Sequence, residues 1–383
     1  MVHPNRPFLR SVGMMIGAII GVGVFGLPYA FAQGGFALGL LELLFLGGIL
    51  VTLQLMLGEI VVQTPGHHRL VNYVGMYTGK FWKWVTLVTL SFGVWGAMLA
   101  YLVVGGTFLH LLLSPILGGG PVVYSYILGG AASFLIFGGL KLAARIEYLV
   151  VGALLFLFTF IILASVPSID VSHYTTLNLE KFFVPYGVIL FSLAGMGIVP
   201  ELKDVLGKKH QRQLAPVIII AMSIIIALYA LFAFAVVGVT GPETSSMAFD
   251  GLVPTLGDTF RVVATLLGSL TILSIYMVLG IELLNTFKFD FDVRHRTAWF
   301  IVCAVPILLF AVGMREFIDI IGFVGSVFGG ILGILVALSY WSMRRRGLCQ
   351  TQHCINFPAP LTWLIILIFS AGIIWEVGTV LVK

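Results

Sequence analysis

Gly21, Gly23, Gly26 and Pro28 fall within eight residues in the middle of the first long apolar stretch. Continuous helix is disfavoured there. Glycine costs backbone entropy in a helix, and proline removes a donor and clashes with the preceding turn. The ends of an interrupted helix carry unpaired amides at an N-terminus and unpaired carbonyls at a C-terminus. Amides suit a carboxylate and carbonyls suit a cation, and glycine lets a ligand approach the backbone itself. In lipid each unpaired backbone group costs several kcal/mol, so such breaks persist only where they line a cavity or are buried in protein. A second break is expected at Gly195-Met196-Gly197-Ile198-Val199-Pro200. Its carbonyls would suit an ammonium group, with the Ser192 hydroxyl beside them. Ala194 and Met196 leave the neighbouring side-chain pocket apolar, and Phe25, Trp95 and Phe191 are candidates to line it.

Other residues suggest ion chemistry. Thr271 and Ser274 are three apart and share a helix face. Carboxylates near the ends of apolar spans are Glu59, Glu147, Glu201, Glu282 and Asp319, and no Asp, Glu, Lys or His is expected at the middle of any span. Glu59, Glu201 and Glu282 are candidates for a gate or a proton site, because an intramembrane carboxylate rarely stays unpaired. Cys349, His353 and Cys354 cluster in one loop, but a metal site there would lack a fourth ligand. The cysteines are expected as reduced thiols. The chain has no H-E-x-x-H pattern and no mid-span catalytic acid pair, which argues against an intramembrane enzyme. No cofactor is expected.

The elements that position these residues follow from composition. Of the 383 residues, 60% are hydrophobic and 10% charged, and mean hydropathy is +1.10. A soluble domain carries about 25% charged residues. The chain is therefore expected to be an all-α polytopic membrane protein. Its 45 glycines fit, because small residues let membrane helices approach closely. Eleven apolar spans are expected near 8–31, 36–60, 84–113, 122–140, 146–166, 182–202, 214–239, 258–284, 297–313, 317–341 and 360–381, most of them reaching the roughly 20 residues a crossing needs. With the N-terminus cytoplasmic, 17 of the 21 Lys and Arg residues fall inside, as the positive-inside rule requires. The C-terminus is then outside. The basic residues are spread over every inner loop, so the net charge of +5 reads as topogenic, and no nucleic-acid partner is expected. Residues 70–77 suggest a short interfacial helix with two tyrosines, and 240–257 a partly helical outer lid. A cleavable signal peptide is not expected, since no small-residue cleavage site follows the first apolar run.

Spans 1–5 (residues 1–166) form one expected unit and spans 6–10 (182–341) another, with span 11 (360–381) outside both. Five is odd, so the second unit is inverted, and each unit opens with a broken helix. This pattern points to a site at the bilayer midplane between the repeats.

The run Gly-x-Gly-x-Phe-Gly-Leu-Pro-Tyr-Ala at 21–30 resembles the first helix of the amino acid/auxin permease group. That group includes tryptophan/tyrosine permease-like transporters of the amino acid–polyamine–organocation superfamily. Gly58-Glu59, Trp95 to Tyr101 with Gly105-Gly106, and Pro200-Glu201-Leu202 resemble it as well. The resemblance covers most of the chain. It implies a LeuT-type 5+5 inverted repeat with helices 1 and 6 broken. It places the amino acid carboxylate at Gly21, Gly23, Val24 and Gly26, and Tyr101 on the cavity side. In sodium-coupled relatives of the fold, hydroxyls on span 8 meet carbonyls of the first break around Na⁺. Here those would be Thr271, Ser274, Gly17 and Ile20. Proton-coupled relatives can carry a lysine within span 5, and Lys141 falls before that span, which tilts the expectation to Na⁺ and leaves H⁺ open.

The expected function is a symporter importing a neutral, aromatic or branched-chain, amino acid by alternating access. An uncoupled facilitator or channel of the same fold, or a non-transporting amino acid receptor, is the alternative. The expected partners are the amino acid and membrane lipids, with the protein a monomer in a prokaryotic inner membrane.

Overall fold

Long runs of Leu, Ile, Val and Phe must satisfy their backbone within the segment when lipid replaces water, and helix does so. The computed structural model describes residues 6–138, 143–248, 250–348 and 354–382, and among these its regular structure is helical, with no strand. The helices are α1 (Arg6–Ile19), α2 (Gly23–Gly34), α3 (Phe36–Gln63), α4 (Leu70–Thr78), α5 (Lys80–Leu117), α6 (Pro121–Gly138), α7 (Ala143–Ser165), α8 (Phe183–Ser192), α9 (Val199–His210), α10 (Leu214–Thr240), α11 (Val253–Asp290), α12 (His295–Ala311), α13 (Phe317–Phe323), α14 (Gly330–Arg345) and α15 (Ala359–Val382).

Among the described residues, seven helical segments are long and apolar enough to cross a bilayer, and α1 with α2 makes an eighth as a pair bent by 60° at the break. One of the seven is Leu179–Glu243, with 65 residues. As a single helix it would reach about 100 Å against a hydrocarbon core of about 30 Å. It instead contains α8, the second break, α9 and α10. The span expected at 297–313 is α12, a shorter apolar helix of 17 residues. By length and composition the described residues thus give seven or eight spans, with α12 and the segment Gly152–Ser168, which begins within α7, as shorter apolar helices beside them.

Small residues set the spacing between helices. A Cβ on Gly105 of α5 would meet Ile272 of α11 at 2.8 Å, and one on Gly333 of α14 would meet Phe369 of α15 at 2.6 Å. Between α13 and α14 the chain makes a π-helical turn, Val324–Gly329. No sequence signal announced it. Gly325 carries this turn against α8, where a Cβ would stand 2.6 Å from the Phe191 backbone nitrogen.

Two expectations need correcting. A helix forms over residues 70–78, but its tyrosines do not lie at the surface. Tyr73 and Tyr77 are 1% and 6% exposed, and α4 packs on α5 and α14. Burial pushes the Tyr73 hydroxyl pKa up to about 12. Ser342 and Arg346 donate to the Tyr77 carbonyl at 2.6 and 3.0 Å, pairing a carbonyl that the helix end leaves free. Second, Cys354 is disulfide-bonded, so it is neither the expected reduced thiol nor a free metal ligand. Cys303 is buried and free. Cys349 and His353 lie outside the described residues, as does Lys141. Among the described residues no three His, Cys, Asp or Glu side chains could together hold a metal ion.

Candidate functional site

The first break occupies Ile20–Val22, between α1 and α2. The Val24 and Phe25 amides turn back to the Gly21 and Val22 carbonyls at 3.4 and 3.1 Å. The Val22 amide donates instead to the Tyr101 hydroxyl of α5, at 3.3 Å. Among the described residues, the Gly21 and Gly23 amides have no backbone partner. Glycine is required at both positions by close approach. A Cβ on Gly21 would land on the Tyr101 hydroxyl, and one on Gly23 would lie 2.6 Å from Ser192 Oγ and 2.8 Å from Ser192 Cα. Gly26 faces Ile318 and Ile321 of α13.

The second break runs through Leu193–Gly195, followed by a 3-10 turn at Met196–Ile198. The Gly23–Ser192 contact places it directly against the first. Tyr229 of α10, fully buried, joins the two. Its hydroxyl lies 3.3 Å from the Ile19 carbonyl and 3.2 Å from the Ser192 carbonyl, as a donor shared between the C-terminal ends of α1 and α8. Both helix ends carry negative partial charge, so this one O–H screens them from each other. The Ser192 hydroxyl donates to the Val188 carbonyl at 2.7 Å. Gly195 touches the Ile19 side chain, with Gln54 of α3 close by. Gln54 is fully buried, and among the described residues neither polar atom of its amide has a partner.

Accessibility divides the two breaks. Val22 to Gly26 are buried, whereas Ala194 is exposed and Gly195 and Gly197 are half-buried. A cavity of about 370 Å³ reaches Gly197 and is lined by Arg69, Pro200, Glu201, Asp204, Glu282 and others. Basic residues of the α3–α4 loop and of α9 meet at this end. His67 pairs with Asp204 at 2.7 Å. Arg69 donates to the Glu282 carbonyl and the Thr286 hydroxyl at 3.3 and 3.4 Å. Lys203 donates to the Val61 and Thr64 carbonyls at 2.7 and 2.9 Å. At the opposite end a cavity of about 420 Å³ is lined by Tyr29, Gln33, Lys181, Ser246, Glu316 and Asp319 among others. Ser246 belongs to the 240–257 segment, which contains two 3-10 turns.

Several sequence candidates therefore come together: Gly21, Gly23, Tyr101, Phe191, Ser192 and Gly195. Phe25 packs in an aromatic cluster with Phe108 and Phe158, at ring distances of 5.7 and 6.2 Å. Trp95 packs on Phe92 and Phe287, at 5.3 and 6.4 Å. Glu282 stands beside Gly197, where a Cβ would meet its Oε1 at 2.8 Å, with Glu201 and Arg69 as its charged neighbours. Glu59 accepts from the Ile355 backbone and the Gln63 side chain, and among the described residues no salt bridge holds it. Thr271 donates to the Leu267 carbonyl of its own helix at 2.8 Å, and Ser274 is buried one turn further on. α11 packs chiefly against α5 and α7, while α1, carrying Gly17, packs chiefly against α10 and α9. Sequence reasoning missed Tyr229, Gln54 and Glu42. Each is a lone polar residue within an apolar run, which is itself a usable signal.

A family model described as "Transmembrane amino acid transporter protein" matches residues 5–378. Among solved structures, the chain is similar to a crystal structure of MhsT in complex with L-phenylalanine, with a TM-score of 0.68 and 16% identity, over 97% of this chain and 98% of that one. At that identity the likeness shows the fold, which is the LeuT-type fold expected from the sequence. No curated protein sequence matches.

Proposed function

Because the chain belongs to the transmembrane amino acid transporter family, we propose that it is a secondary active transporter that imports a neutral amino acid by alternating access, driven by Na⁺ or H⁺. The observation that carries this reading is the meeting of Gly21, Val22 and Tyr101 beside the unwound second break. The substrate carboxylate accepts from the Gly21 and Gly23 amides at the start of α2 and from the Tyr101 hydroxyl. Helix N-termini favour anions through their free amides and positive dipole. The ammonium group takes the carbonyls at the end of α8, where the dipole is negative. Phe191 and Met196 border the side-chain pocket, which suits an aromatic or branched-chain substrate. MhsT was crystallised with an amino acid of that kind, which is consistent with this class.

The basic end of the molecule is taken as cytoplasmic by the positive-inside rule. The cavity at Gly197 and the exposed Ala194 then open inward, and the Tyr29–Lys181 cavity lies outside. The unit boundaries at 1–166 and 182–341 make the two breaks counterparts in inverted repeats. Two places could carry coupling: the hydroxyl pair Thr271 and Ser274 with the carbonyls of Gly17 and Ile20, or a carboxylate.

The test is uptake of a panel of radiolabelled amino acids into proteoliposomes, each under a Na⁺ gradient alone or a proton gradient alone. Accumulation of neutral amino acids under one gradient is expected. Equilibration without accumulation would point to a facilitator. Binding without any movement would point to a receptor.

A further inference from the structure

Glu42, in the half of α3 away from the basic end, is used by neither break. It is 7% exposed, and among the described residues neither carboxyl oxygen has a hydrogen-bond partner. Among the described residues no salt bridge reaches it. α3 packs against α2, α8, α9, α10 and α14, and the ionisable groups of those helices are engaged elsewhere. Tyr186 donates to the Ile368 carbonyl, Tyr229 to the carbonyls at the two breaks and Tyr340 to the Ile355 carbonyl. Tyr29 and Glu201 line the two cavities. Lys203 and Asp204 have the partners given above, and Lys208, Lys209 and His210 end α9. Arg344 donates to the Phe357 carbonyl, and Arg345 lies over the Trp341 ring.

An ionised carboxylate without a partner is too costly to bury, and such a group neutralises instead. In this conformation Glu42 is therefore a carboxylic acid. Its position says what that proton reports. Gly39, three residues away, lies against Phe31 of α2. Gly47, five residues further along, lies against Ile226 of α10 and, at 3.7 Å, Leu193 of the second break. Five residues of helix span about 7.5 Å. Glu42 thus stands between the places where α3 meets the outer half of the first span and the second break. Those two halves, α2 and α8, must part from α3 for the outer side to open.

We propose that Glu42 is the proton-binding site that couples uptake to a proton gradient. With the outer side open, its carboxylate takes one proton from hydronium, leaving water. With α2 and α8 closed over it, the acid is buried and neutral. After the substrate has left inward, it returns the proton to water on the inner side as hydronium. With substrate bound, the closed arrangement forms only when Glu42 is protonated, so net inward movement of substrate requires a proton, and the emptied transporter reopens outward after the acid has given that proton to inner water. This rests on the transporter reading and adds its coupling ion.

The experiment compares wild type, Glu42→Gln and Glu42→Asp in proteoliposomes, measuring two quantities. One is accumulation under a proton gradient without Na⁺, and the other is one-for-one exchange of internal for external amino acid without a gradient. Glutamine imitates the neutral buried acid, so Glu42→Gln is expected to exchange at the wild-type rate while accumulation falls to the equilibrium ratio. Glu42→Asp is expected to keep proton-driven accumulation. The proposal is overturned if Glu42→Gln still accumulates on a proton gradient, or if wild type accumulates only on Na⁺, an outcome that leaves the transporter reading intact. It is also overturned if both variants lose exchange, which would make the position structural. Absence of all exchange in wild type would instead remove the transporter reading itself.

Discussion

The two breaks share a sequence signature, glycines followed by a proline, yet the protein surrounds them in opposite ways. The first is gripped. Its glycines face the Ser192 backbone and the Tyr101 hydroxyl, and Val22 to Gly26 are buried. The second is loose. Gly195 meets the flexible end of Ile19, and Ala194 is exposed. One break is thus held fixed by its neighbours, and the other is partly exposed. The same local chemistry yields a rigid half and an adaptable half because the neighbours differ.

The largest expected effect breaks the gripped half. In Gly23→Ala the new Cβ meets backbone, which cannot move aside cheaply, at an overpacking cost of about 1–3 kcal/mol. Uptake is expected to vanish and the melting temperature in detergent to fall. In Gly195→Ala the Cβ meets Ile19 side-chain carbons at 2.5 and 2.6 Å. Its φ of −165° suits any residue, so most uptake should survive, with further recovery in Gly195→Ala combined with Ile19→Val. Equal damage from the two alanines would erase the distinction between the halves.

Tyr101→Phe comes next. It removes the hydroxyl from the proposed carboxylate cradle, while the Val22 amide loses its acceptor. A hydrogen bond to a charged group contributes about 1.5–3 kcal/mol, so the half-saturation concentration for uptake should rise about 10- to 100-fold. Substrate binding by calorimetry should show the same loss. If only the maximal rate changed, Tyr101 would be packing rather than contacting the substrate.

Tyr229→Phe should be milder. It removes the shared O–H between the Ile19 and Ser192 carbonyls and costs about 1 kcal/mol. A lower melting temperature with a few-fold drop in transport rate is expected, and affinity should change less than in Tyr101→Phe. An affinity loss as large as that one would place Tyr229 in the ligand shell.

Much of this was legible in the sequence. Gly21 to Pro28 and Gly195 to Pro200 announced both breaks, because glycine and proline act on the backbone locally. The permease-like residues 21–30 pointed to the family, and the lack of catalytic motifs agrees with a transporter. What stayed hidden depends on neighbours distant in the chain. Tyr229 gains its role only when α10 brings it to two carbonyls, 210 and 37 residues away. Phe25 and Trp95 read as pocket residues by type, and the distant rings each packs on, Phe108 and Phe158 for Phe25 and Phe287 for Trp95, come from other helices and cannot be read locally. Tyr73 and Tyr77 read as interfacial in a short helix taken alone, and only the packing of α4 on α5 and α14 buries them. The π-turn at 324–329 follows from packing against α8, which no local propensity encodes.

The smallest expected effect concerns Thr271. Its hydroxyl hydrogen is given to the Leu267 carbonyl, a common use of threonine in membrane helices. That leaves its oxygen lone pairs, so the bond alone does not disqualify a cation. The packing argues more strongly. A hard cation needs its oxygens within roughly 2.3–2.6 Å, from both α11 and the end of α1, and these helices have different principal neighbours. Valine matches threonine in shape, so Thr271→Val should leave proton-driven uptake within about twofold of wild type, a change of under about 0.5 kcal/mol. The same variant measured with and without Na⁺ gives the sharper contrast. A collapse of uptake confined to Na⁺-containing medium would bring α11 and the gripped break together around a cation, and Glu42 would lose its place as the driving site.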